Sequence, residues 1–281
     1  MSYTQREKNG VVYITFPLFE KEGLVHGFST RVGGVSKGYL GKMNLSFQRG
    51  DDAEAVLENH RRLAGAVGYD CRHLVFSDQV HKTEVRRVYA SDCGKGIFTE
   101  SDIRGVDGLI TDDRNVVLMT FFADCVPLFF YDPVKRAIGA SHSGWRGTAE
   151  RMGKRTVHAM ISEFGSRPED ILAVVGPSIC RGCYEIGREV ADVFYEAFDE
   201  KWHSEILFPD DIGKDTETKF HLDLWRANEI VLREAGIPEE NIEISGLCTC
   251  CNPGLLFSHR ASAGRRGNLA GAITLGGKLS V

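Results

Sequence analysis

Three side chains of metal-ligand type each close an apolar run in this sequence. His81 ends Phe76-Ser-Asp-Gln79-Val-His81, Cys125 lies in Phe121-Phe-Ala-Asp124-Cys125-Val-Pro127, and His142 lies in Gly139-Ala-Ser-His142-Ser-Gly-Trp-Arg146-Gly-Thr148. Two imidazoles and a thiolate suit the borderline-soft Zn²⁺, and three protein ligands leave a fourth position open, the pattern of catalytic zinc. The spacing is not that of a compact zinc finger. Asp124 sits among apolar neighbours, where a carboxylate is costly unless paired. It reads either as a proton carrier or as the group that orients Cys125 or a ligand histidine. Gln79 falls two residues before His81 and so shares its face of a strand end. The glycine-rich turn after His142 leads into a helix expected to begin near Thr148. Free N–H groups at such a start, with Arg146 beside them, form an anion site.

The same residues admit other chemistry. Cys125 could be the nucleophile of a metal-free hydrolase with His142 or His81 as base. A His₂Cys set could also mimic one blue-copper site, although nine histidines without a His-x-His pair do not easily build a multicopper cluster. Cys180-Arg-Gly-Cys183 with Cys248-Thr-Cys250-Cys251 suggests a redox or structural-zinc module. By spacing it is half a zinc ribbon, because Cys250 crowds the second pair. A non-enzymatic adaptor is the remaining class.

These groups need elements to position them. Apolar runs at 11–16, 24–29, 74–77, 116–122, 128–131, 137–141, 171–175 and 272–275 read as strands. Helices are expected from the Asp52 cap to Val67, from Thr148 to Phe164, around Val190–Phe198, and from the Asp223 cap towards Gly236. Strands outnumber helices and do not alternate with them one for one. The fold class is therefore α+β, with mixed β-sheets and flanking helices in a layered sandwich, as one catalytic domain over residues 1–281. Neither G-x-G-x-x-G after a strand nor a G-x-x-x-x-G-K-[ST] loop occurs, which argues against a Rossmann or P-loop cofactor.

Bulk properties narrow the partners. The 281 residues are 42% hydrophobic and 26% charged, with net charge −5. That balance gives no field for nucleic acid or an acidic membrane. The basic run Arg260, Arg265, Arg266 reads as a solvated loop. The apolar stretch 116–130 is broken by Asp124 and Pro127 and is too short to span a bilayer. The polar start of the chain offers no secretory signal, so eight cysteines point to reduced thiols in the cytoplasm, with Cys180, Cys183, Cys248 and Cys250 in no obligatory disulfide.

Ordered motifs then run nearly end to end: His26-Gly-Phe-Ser-Thr-Arg31, Asn44-Leu-Ser46, Gln79-Val-His81, Asp107-Gly-Leu-Ile-Thr111, Ala123-Asp-Cys125-Val-Pro127, His142-Ser-Gly-Trp-Arg-Gly147, Gly176-Pro-Ser-Ile179, Cys183-Tyr-Glu185, Cys248-Thr-Cys250 and Phe257-Ser-His-Arg260. On these the chain resembles the YfiH/YlmD family, also called the polyphenol-oxidase or laccase-domain family, whose mammalian relative is FAMIN. The resemblance implies mixed sheets flanked by helices and a Zn²⁺ site at His81, Cys125 and His142. It implies phosphorolysis of adenosine, inosine and methylthioadenosine, with adenosine deamination. Copper-dependent phenol oxidation, with Cu²⁺ in place of Zn²⁺, is the alternative. The partners are then purine nucleosides and phosphate. Arg31, Arg146 and the helix start at Thr148 are the phosphate candidates. His26, Asn44, Gln79 and His259 are candidates to orient base or ribose, and Asp124 to carry the proton.

Overall fold

The apolar runs pair into two large sheets and a small one. A computed structural model of the chain describes residues 2–210 and 219–276. Its strands are β1 (Thr4–Lys8), β2 (Val11–Thr15), β3 (Val25–Ser29), β4 (Leu74–Phe76), β5 (Val85–Arg87), β6 (Gly108–Thr111), β7 (Val117–Phe122), β8 (Val126–Asp132), β9 (Ala137–Ser143), β10 (Leu172–Val175), β11 (Glu185–Ile186), β12 (Leu207–Pro209), β13 (Phe220–Leu222), β14 (Ile242–Ile244) and β15 (Leu269–Thr274). The helices are α1 (Pro17–Lys21), α2 (Ala53–Val67), α3 (Trp145–Ala149), α4 (Met152–Phe164), α5 (Arg188–Ala197), α6 (Glu200–Ile206) and α7 (Leu224–Glu234). The first sheet runs β1-β2-β3-β15-β7-β4, the second β14-β10-β8-β9-β6-β5, and the third β11-β13-β12. In the large sheets β4 pairs parallel to β7, β5 to β6 and β10 to β14, while the other pairs are antiparallel. The fold is α+β with mixed sheets, as the sequence predicts.

Strand alternation sorts side chains between layers. On β7, Leu118 and Phe122 join Phe129, Ile138 and Leu109 of the second sheet in the core between the sheets. Val117 and Met119 instead pack with Leu63 and Val67 of α2. A methyl on Gly271 of β15 would meet the Phe129 ring at 2.2 Å, so the two sheets approach closely through that glycine. On the outer face of the second sheet, Leu128 and Phe130 share a core with Val157 and Met160 of α4 and with Ile230 and Val231 of α7. The ends of α2 match the sequence signals: the Asp52 carboxylate accepts from Ala55 N–H, and Gly68 stops the helix at φ 100°.

The helix expected from Thr148 to Phe164 is two helices. Arg151, at φ 67°, breaks the ladder, and its guanidinium is held by Glu234 and the carbonyl of Ala197. Thr148 therefore lies near the end of α3 and not at a helix start. It is buried, its N–H donates to the Gly144 carbonyl at 2.8 Å and its hydroxyl bonds that of Ser143 at 3.0 Å. The expected anion site at Thr148 is overturned, because its N–H is already used. Among the described residues no helix is long and apolar enough to cross a membrane.

His60 on α2 makes the fold sensitive to acid. Its Nε2 bonds the Leu45 carbonyl at 2.9 Å, while its ring packs against Phe47 and Phe76. Complete burial pushes its pKa down to about 4. As pH falls below about 6.5 the unfolded chain takes up this proton before the folded one does. Stability from His60 is thus intact above pH 6.5 and is lost towards pH 4, by about 3 kcal/mol. Urea unfolding between pH 4 and 7 is expected to show this slope, flattened in His60→Phe. An unchanged slope in the variant would place the acid sensitivity elsewhere.

Candidate active site

Parallel pairing of β4 with β7 brings the ends of both strands to one place, and β15 begins there in the opposite direction. His81 follows β4, Cys125 sits in the turn between β7 and β8, and His142 lies on β9 opposite Pro127. One potential ligand atom from each of His81, Cys125 and His142 lies within 4.8 Å of the others. The His81 and His142 rings meet edge to face with centroids 4.8 Å apart.

A fully buried carboxylate, Asp107, organises this cluster. It accepts the backbone N–H groups of Val80, His81 and Lys82, each at 3.0 Å, and bonds Nδ1 of His142 at 2.9 Å. The three N–H bonds hold His81 at φ 61°, and the bond to Nδ1 leaves Nε2 of His142 for the cluster. Burial would raise the Asp107 pKa, but His142 and the N–H donors hold it below the usual carboxylate range. Burial likewise works against charge at Cys125 and His142. Their mutual attraction outweighs it, drawing the Cys125 thiol down and pushing His142 up.

The donor set fits a divalent metal. A thiol biased towards thiolate is the ligating form, and an imidazole anchored by a carboxylate is the usual metal-binding arrangement. Gly144 leaves the space: a Cβ there would lie 3.1 Å from Cys125 Sγ and 3.3 Å from His81 Cδ2. Asp107→Asn would turn an amide donor towards groups that already donate. Metal affinity is expected to fall about 10–100-fold, read by competition with a chromogenic chelator. Unchanged affinity would remove Asp107 from this role.

The cluster opens into a cavity of about 310 Å³. Its walls include Phe76, Phe121 and Phe122, with Phe76 and Phe121 edge to face at 4.9 Å, and polar groups from Asp78, Gln79, Arg49 and Arg266. Arg266 is the least satisfied of these. Its Nε is buried without a partner, while its Nη1 bonds Asn268. Burial first and the neighbouring Arg49 second bring its pKa down to about 10. Arg49, Arg104 and Arg266 all line the cavity, with Asp78 the one carboxylate among the lining residues, a balance of charge that suits an anion.

The sequence-predicted residues divide around this cavity. His81, Cys125, His142 and Gln79 line it. Gln79 clamps the backbone of Phe121, accepting its N–H and donating to its carbonyl, both at 2.7 Å. Asp124 faces away from the cluster at φ 89°. Its oxygens accept from Thr249 Oγ1 at 2.6 Å and Arg260 N–H at 2.7 Å, so the ligand-orienting carboxylate is Asp107. Arg31 spends its donors on the carbonyls of Gly41 and Pro253. Asn44 ties Ser46, Asp51 and Asn268 together behind the wall. Arg146 is exposed and lies over the Trp145 ring at 4.1 Å. His259 is exposed beside Gly264, and His26 is buried against Phe16 and Phe19 with Nε2 accepting Phe16 N–H. None of these six residues lines the cavity. Asp107, Asp78, Arg49, Arg104 and Arg266 are the site residues that sequence reasoning missed. A buried aspartate opening an apolar strand was the available signal for Asp107.

The chain has clear relatives among known proteins. The family model described as multi-copper polyphenol oxidoreductase laccase matches residues 25–276. The purine nucleoside phosphorylase YlmD of Bacillus subtilis is 36% identical over 253 residues, covering 89% of this chain and 88% of that protein. The purine nucleoside phosphorylase LACC1 of Mus musculus is 34% identical over 95% of this chain and 59% of its own length. The crystal structure of YlmD from Geobacillus stearothermophilus superposes with a TM-score of 0.88 at 33% identity, over 98% of this chain and 99% of that one. With the match spanning most of its length, the chain belongs to the family described as multi-copper polyphenol oxidoreductase laccase, that of the YlmD and YfiH proteins.

Proposed function

We propose that this chain is a zinc-dependent purine nucleoside phosphorylase acting on adenosine, inosine and methylthioadenosine, with adenosine deamination as a second activity, in the cytoplasm. The observation that carries it is one cavity lined both by three potential metal ligands and by three arginines, Arg49, Arg104 and Arg266. Phenol oxidation has no use for an anion site, whereas phosphorolysis requires one. The names of the relatives point the same way.

His81, Cys125 and His142 would hold the zinc ion, which when bound supplies Lewis acidity for charge developing in the substrate. Arg266 and Arg49 hold phosphate and neutralise its charge. In phosphorolysis a phosphate oxygen bonds C1′ of the sugar as the C1′–N9 bond breaks, and the base leaves with the bonding electrons and takes up a proton. Asp78 lines the cavity, and its carboxylate accepts Gly105 N–H at 2.9 Å; it is the group assigned here to exchange that proton. Phe76, Phe121 and Phe122 supply apolar surface for a purine and limit water.

The test separates nucleoside chemistry from oxidation. Copper-free, zinc-loaded protein given adenosine and phosphate is expected to yield adenine and inosine on chromatography. It should oxidise no phenol, because Zn²⁺ has no accessible redox change. Phenol oxidation after copper loading, with every purine nucleoside left intact by either form, would establish the oxidase instead.

A further inference from the structure

A second cluster lies outside the cavity. The loops that follow the parallel strands β10 and β14 continue side by side: Ser178 N–H donates to the Leu247 carbonyl at 3.2 Å and Thr249 N–H to the Ser178 carbonyl at 3.1 Å. Each loop carries a Cys-x-x-Cys, Cys180 with Cys183 and Cys248 with Cys251. The four Sγ atoms lie within 4.8 Å of one another. Cys251 Sγ is 3.9 Å from that of Cys180 and 3.3 Å from that of Cys183. A tetrahedron of sulfurs each ~2.3 Å from zinc has edges of about 3.8 Å. Cys248 Sγ also accepts two backbone N–H groups, from Cys180 and Cys251, each at 3.3 Å. Those bonds favour the thiolate that a metal needs. Cys250, which the sequence set inside the second pair, is not part of the group.

We propose that Cys180, Cys183, Cys248 and Cys251 bind a second, structural Zn²⁺. Four protein sulfurs close the coordination shell, so this ion fastens two loops and does no chemistry. The loops it fastens support the first site. Thr249, between two of the cysteines, holds Asp124 at 2.6 Å, and the Asp124 carbonyl accepts Ile179 N–H at 3.0 Å, next to Cys180. Asp124 precedes Cys125, so the clip sets where that ligand stands. The proposal is independent of the nucleoside reading and survives its failure.

The test counts zinc and its neighbours in full-length protein purified without chelator. Wild type is expected to carry two equivalents, and Cys125→Ala about one. X-ray absorption of Cys125→Ala should show that ion surrounded by sulfur alone at ~2.3 Å. Adding Cys183→Ser should remove it, whereas adding Cys250→Ser should not. If Cys183→Ser does not fold, the absorption spectrum of Cys125→Ala still decides. Zinc-free Cys125→Ala, nitrogen or oxygen around its ion, or two thiols lost to a disulfide would each overturn the proposal.

Discussion

Cys125→Ala is expected to lose the metal of the cavity and, with it, more than about a hundredfold in nucleoside turnover. Loss of an outer-shell partner alone costs about 10–100-fold, and removing a ligand should exceed that. Cys125 is the sole sulfur of its cluster and lies in a turn, partly exposed. Its truncation therefore empties a ligand position without opening a core cavity. Metal analysis should show one equivalent lost while circular dichroism and the thermal midpoint stay close to wild type. Chelation should abolish activity and zinc should restore it. A metal-free hydrolase using Cys125 would survive the chelator and die on alkylation. Full metal occupancy in the variant would contradict the site assignment.

Arg266→Ala is expected to raise the phosphate KM about 10–100-fold, the loss of about 1.5–3 kcal/mol from a charge-assisted bond. Deamination, which uses no phosphate, should fall much less. Arg49→Ala should act in the same direction. Arg146→Ala should change the phosphate KM little, because that guanidinium is exposed over Trp145 and outside the cavity wall. Steady-state kinetics in phosphate for the three variants checks the order. A larger effect at Arg146 than at Arg266 would return the anion site to the turn after His142. Equal loss of both reactions at Arg266 would point to the fold or the metal.

That His81, Cys125 and His142 come together was legible from their residue types, although His81 lies in a loop five residues beyond β4, with φ 61°, and not at the strand end the sequence suggested. The strands themselves were legible where two buried faces demand apolar runs, as in β7 and β8. β1, whose residues are Thr-Gln-Arg-Glu-Lys, has no such pattern because it is an edge strand with a mostly exposed face. Its turn signal, Asn9-Gly10, was present, and both residues adopt positive φ between the paired Lys8 and Val11. Chain proximity misled at Asp124. It neighbours Cys125 in sequence, but its left-handed backbone turns the carboxylate to Thr249, 125 positions away. The opposite error hid Asp107, which bonds His142 across 35 positions. Arg266 and Arg49 were illegible for the same reason: they become neighbours only when β15 inserts between β3 and β7. The break at Arg151 carries no glycine or proline to announce it. It follows from the packing of α3 and α4 against α7 and from the anchors of the Arg151 side chain.

The most direct test of the central claim is the fate of the ribose. Zinc-loaded, copper-free protein is incubated with inosine, with and without inorganic phosphate, and followed by ³¹P NMR alongside chromatography of the base. The account predicts that hypoxanthine appears only with phosphate, matched mole for mole by a ribose 1-phosphate signal. Release of hypoxanthine with free ribose, at the same rate with or without phosphate, would contradict it and make the enzyme a hydrolase.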